Sequence, residues 1–115
     1  MKGLEYTLYL STDDVRVAHH LAHILEQKGE GFIVARGQEA GPYTAVAVNV
    51  LDWRMFPLLR VLETIRAAAR SFNVQVRRGD LGPAPLDAIL EVAREVLLLD
   101  RPPVITGPDP GERPG

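Results

Sequence analysis

The chain has 115 residues, 46% of them hydrophobic and 24% charged, with a formal net charge of -2 at pH 7 and no cysteine. That length predicts one globular domain with its own core, and the lack of thiols excludes disulfides, thiolate zinc sites, iron–sulfur clusters and cysteine nucleophiles. The near-neutral balance argues against a surface that coats nucleic acid generally. No apolar run approaches the roughly 20 residues of a membrane helix, and MKGLEYTLYLSTDD lacks the apolar core and cleavage site of a signal peptide, so the expected location is cytoplasmic, with no membrane partner.

Residues 4–10, LEYTLYL, set Leu4, Tyr6, Leu8 and Leu10 against Glu5, Thr7 and Tyr9, the period-two alternation of a strand with one buried face. STDD reads as a helix start: Ser11 is the expected N-cap, Asp14 closes a short capping box, and acids suit the positive end of the helix dipole. Val17, Leu21, Ile24 and Leu25 recur at helical spacing, and Gly29 is placed to end the helix in a left-handed conformation, giving a first helix over about 12–28. GFIVARG reads as a short strand and GQEAGP as a turn. YTAVAVNVLD is a longer strand with apolar residues at both parities, as a central strand would show. Leu58, Val61, Leu62, Ile65, Ala68, Ala69 and Phe72 form the stripe of a second helix, with Pro57 in its first turn. NVQVRRG reads as a short fourth strand and DLGPAP as a turn. Leu86, Ile89, Leu90, Ala93, Val96 and Leu97 then mark a third helix. PPVITGPDPGERPG reads as a flexible Pro/Gly-rich tail, so the expected division is a domain over 1–101 and a tail over 102–115.

The order predicts an α+β fold, a ferredoxin-like βαββαβ split-βαβ sandwich with an antiparallel four-stranded sheet, plus a C-terminal third helix. The first and third strands are central in that arrangement, and here they are the longer and more apolar ones. Two helices cover one sheet face, while Ala45, Ala47 and Leu51 add apolar residues on the other parity of the third strand. Either the third helix or a second copy of the sheet is expected to cover that face. The run Val96, Leu97, Leu98, Leu99 exceeds what one helical stripe needs and marks the expected interface of a homodimer.

All three histidines fall within HHLAHILE. On a helix His19 and His23 stack four apart with Glu26 three further on, a candidate two-nitrogen, one-oxygen metal row. His20 stands where the zincin motif needs its general-base Glu, so a protease reading fails. The competing reading is a solvated helix face, since the three lie opposite Val17, Leu21 and Leu25. KGEGFIVA overlaps the basic-Gly-aromatic pattern of the RNA-recognition motif, but only Phe32 fills an aromatic position. Residues 54–81 carry six arginines against two acids. Among these Arg60, Arg66, Arg70, Arg77 and Arg78 are candidate phosphate or nucleic-acid contacts, set against a salt-bridged, solvated surface; Arg77 and Arg78 are expected to point to opposite faces. RGD at 78–80 reads as a turn after a strand.

The element order resembles that of the ACT ligand-binding domains. Those place a glycine between first strand and first helix, where this chain has STDD, so their amino-acid site is not carried over. A YT strand, an S-x-D-D helix start and a strand after the second helix are similar to the RNase E regulator B proteins at scattered positions. No nucleophile elbow or Gly-rich phosphate loop is present. The expected protein is a non-enzymatic, homodimeric binding or regulatory module without a cofactor, its partner a protein or small molecule. The alternatives are nucleic-acid or phosphate binding through 54–78, and a divalent-metal site on the first helix.

Overall fold

The computed structural model describes residues 3–107 of the chain. Its elements are β1 (Leu4–Leu10), α1 (Val15–Lys28), β2 (Ile33–Ala40), β3 (Tyr43–Val50), α2 (Leu58–Arg70), β4 (Val76–Leu81) and α3 (Leu86–Val96). The four strands form one antiparallel sheet in the order β2-β3-β1-β4, the ferredoxin-like arrangement the chain order predicts.

Alternation decides which sheet face is covered. Leu4, Leu8 and Leu10 of β1 pair with Val50, Val46 and Thr44 of β3, and this parity meets the helices. Leu21 and Leu25 of α1 and Val61 and Ile65 of α2 close the core from above, all at 0% exposure. Each such side chain contributes roughly 1.5–3 kcal/mol by leaving water. Buried Thr44 satisfies its hydroxyl by donating to the Thr12 carbonyl at 2.9 Å, which ties the hairpin end of β3 to the start of α1. Gly37 lets α1 approach β2: a Cβ there would stand 2.5 Å from the Ala18 carbonyl carbon.

Several boundaries differ from the sequence expectation. Asp14, not Ser11, caps α1, its Oδ1 accepting from the Arg16 amide at 3.0 Å. Ser11 instead exchanges two hydrogen bonds with Gln75, donating its amide to the Gln75 carbonyl and accepting the Gln75 amide on Oγ, so it fastens β1 to the chain entering β4. Gly29 stays right-handed at φ -76, and the left-handed positions fall on Glu30 and Gly31. What Gly29 supplies is room, since a Cβ would press on Ile33 at 2.6 Å. Strand β2 runs on through Gln38 and Glu39 to a two-residue loop, where Gly41 at φ 61 takes the positive angle that tight hairpin turns require. Strand β4 begins later than expected and includes the whole RGD tripeptide, which is therefore strand and not turn.

The third helix does not fold beneath the sheet. Ile89 and Val92 of α3 share a cavity of about 190 Å³ with Tyr6, Leu58, Leu62 and Leu81, so α3 lies beside α2 in the helix layer. Leu51 lies just past the end of β3 and is 40% exposed. Among the described residues the second face of the sheet is uncovered. No described helix is long and apolar enough to cross a membrane. Of the expected tail, 102–107 holds no helix or strand and 108–115 lies outside the described residues.

Candidate functional site: the open face of the sheet

The uncovered parity is built from small and polar residues. Strand pairing lays them out in rows across the sheet: Val34, Asn49, Glu5; then Arg36, Ala47, Thr7, Asp80; then Gln38, Ala45, Tyr9, Arg78. Ala45 and Ala47 form a low floor, and the longer side chains at either side make it a groove. Ala45 is fully buried without a layer above it, shielded by Tyr9, Gln38 and its other neighbours in the sheet.

A bulge shapes the end of this groove nearest the hairpin. Tyr9 pairs with Arg78 but Leu10 pairs with Val76, leaving Arg77 as the extra residue on β4. A bulge breaks the alternation that would send consecutive side chains to opposite faces. Arg78 stacks on the Tyr9 ring at 3.8 Å from guanidinium carbon to centroid, and Arg77 lies over the Tyr43 ring at 5.3 Å. Tyr9 and Tyr43 flank Ala45 on the same parity, so both guanidinium groups stand on the open face, against the expectation that they diverge. They line a cavity of about 770 Å³ with Tyr9, Tyr43, Gln38 and Glu39. The described ion pairs are Asp14 with Arg16 and Glu91 with Arg94, so neither Arg77 nor Arg78 is committed to a carboxylate among the described residues. A guanidinium lying over a phenol ring leaves N–H groups free to grip a carboxylate or phosphate in two-pronged fashion.

Towards its other end the groove holds a cavity of about 390 Å³ beside Glu5, Thr7, Arg36 and Gln38. Asn49 stands here with its Oδ1 buried and without a hydrogen-bond partner among the described residues.

The remaining candidates lie elsewhere. His19, His20 and His23 are exposed on the outer side of α1, away from the open face. The ring of His20 meets Phe72 edge-on at 5.2 Å. Glu26 accepts the Ala35 amide at 3.1 Å on Oε2, a bond that fastens α1 to β2. No group of three His, Asp or Glu side chains placed to hold a metal occurs among the described residues. Arg60 lies over the Phe56 ring at 4.9 Å. Arg66 and Arg70 border a depression of about 240 Å³ with Val74, Gln75 and Val76. The charge of Arg66 also acts on Tyr6, whose phenol pKa is pushed up by burial and partly drawn back by that guanidinium. The arginines of 60–78 thus fall into separate places. Val96, Leu97 and Leu98 are exposed, Leu98 to 90%, and Leu99 is half-buried, at and just past the end of α3.

Sequence reasoning did not single out Tyr9, Tyr43, Arg36 or Gln38 for the site. Tyr9 does sit on the polar parity of β1, a signal visible in LEYTLYL, but the bulge that joins Arg77 to Arg78 leaves no mark in composition or spacing.

The chain is similar to the glutamate formimidoyltransferase of Streptococcus pyogenes serotype M1: 28% identical along an alignment of 105 residues that covers 87% of this chain and 35% of that protein. The chain therefore spans 35% of the length of the curated relative it matches. No protein-family model matches it.

Proposed function

We propose that this chain is a binding domain for a small carboxylate-bearing molecule of the glutamate kind, held at the hairpin end of the open sheet face. The observation that carries the reading is the pair of arginines over tyrosine rings, Arg78 over Tyr9 and Arg77 over Tyr43, standing without carboxylate partners among the described residues and lining one cavity. Two guanidinium groups suit a ligand with two carboxylates. The similarity to an enzyme whose name couples glutamate to a formimidoyl group supports the same ligand class. The reading stays with binding and not with transfer. The histidines, the usual proton carriers near neutral pH, sit on the outer side of α1, and the chain has no cysteine nucleophile.

Calorimetric titration with L-glutamate, and with L-glutamate carrying a formimidoyl group on its nitrogen, tests the reading. Arg77→Ala and Arg78→Ala are each expected to weaken binding about tenfold or more, the loss of a charge-assisted bidentate contact. His19→Ala is expected to leave affinity unchanged. Absence of heat with both probes would overturn the reading. So would binding to single-stranded DNA that falls steeply with salt and depends on Arg66 and Arg70 instead.

A further inference from the structure

We infer that the open face is a docking surface for a second copy of this chain, sheet against sheet, about a two-fold axis parallel to the strands. The inference goes beyond the ligand reading and rests on the order of residues within each row. The midline of the sheet runs between β3 and β1. A two-fold axis along that midline lays the β2 side of one copy over the β4 side of the other and keeps every row in step. Arg36 then opposes Asp80 of the second copy, and Asp80 opposes Arg36 of the second copy, because both belong to the row Arg36, Ala47, Thr7, Asp80.

The other rows agree. In the row of Gln38, Ala45, Tyr9 and Arg78, the Gln38 amide oxygen faces a guanidinium. In the row of Asn49 and Glu5, the Asn49 amide donors face a carboxylate. Ala47 faces Thr7, small against larger. Charges and sizes are both complementary, as two packed sheets about 10 Å apart require. A two-fold axis across the strands through the Arg36 row would instead set Arg36 on Arg36 and Asp80 on Asp80, like charge on like. The second copy also fills the position α3 leaves vacant, since α3 lies in the helix layer. Both hairpin ends then sit at the same end of the sandwich. The ligand groove is closed by partner residues, with the alanine floors leaving a channel between the sheets.

The experiment is sedimentation equilibrium on the full chain and three variants. The unaltered chain is expected at twice its 12.7 kDa mass. Arg36→Asp and Asp80→Arg each place like charges in both edge pairs and are expected to raise the dimer dissociation constant at least about tenfold. The double variant Arg36→Asp/Asp80→Arg restores opposite charges and is expected to restore the dimer. Circular dichroism on each variant shows that these exposed substitutions keep the fold. A chain that stays monomeric overturns the inference, as does a dimer that ignores both single reversals or a double variant that stays apart. Leu98→Asp is the second probe: a dimer that dissociates with it, and not with the charge reversals, places the interface at the end of α3 and overturns the inference too. Glutamate titration of the Arg36→Asp monomer keeps the two readings separable, because Arg77 and Arg78 are intact there.

Discussion

Val46 and Ala47 are neighbours on β3, yet they belong to two different surfaces. Val46 meets the helices, in a cluster that joins Leu8, Leu21 and Ile65. Ala47 faces a groove among Thr7, Arg36 and Gln38. Both parities of YTAVAVNV look apolar when Ala counts as Val does, and that count predicts a second buried face. The structure shows that side-chain size separates them: valines fill the covered side, while alanines leave a floor low enough for longer neighbours to wall in. On β3 the size of the side chain, and not its apolar character alone, separates the covered parity from the open one.

This contrast can be broken at single positions. The largest expected effect is Leu8→Ala, which deletes a side chain 1% exposed and should cost about 3 kcal/mol in urea unfolding. Thr7→Ala, one residue away on the open face, should stay within about 0.5 kcal/mol when measured in the Arg36→Asp monomer background. Equal losses at the two positions would mean that the faces are not distinct. Gly37→Ala should follow at about 2 kcal/mol, because the added methyl meets backbone of α1 and not a movable side chain. A neutral outcome there would show that α1 can lift from β2 freely.

The smallest effect concerns the cap of α1. The Arg16 side chain and amide both hydrogen-bond the Asp14 carboxylate, and they hold its pKa below the ordinary carboxylate value. A lowered folded pKa means that the contribution is fully present above the unfolded Asp value of about 3.9 and is lost as pH falls through the lower folded one. Asp14→Asn removes that dependence. Melting temperatures of the two proteins should therefore differ slightly near neutral pH and converge in acid, and a constant gap across the range would show the cap to be uncharged in its action.

Much of the fold is legible in the sequence because its signals are local. The alternation of LEYTLYL, the 3.6-residue stripe from Val61 to Ala69 and the breaks at Gly41, Pro42 and Pro57 name the elements and their order. Those signals follow from backbone geometry, which repeats over a few residues wherever the segment ends up. The cap at Asp14 is less legible, since Ser11, three residues earlier, fits the capping pattern equally well by sequence and only its pairing with Gln75 removes it. The site was less legible. The charge of Arg77 and Arg78 is visible in the sequence, but their tyrosine partners lie on two other strands.

By itself, then, the sequence determined the element order, the covered parity of β1 and the helix stripes, because each is a periodic pattern matched to a local geometry. Tertiary structure alone decided that Arg77 joins Arg78 on one face, that α3 lies beside α2 and not beneath the sheet, and that Gly37 faces a helix backbone. The first and the last depend on which distant strand pairs at which register, and a shift of one residue in pairing would reverse them without altering any local pattern; the place of α3 depends on which apolar surface it meets, here that of Leu58 and Leu62 on α2.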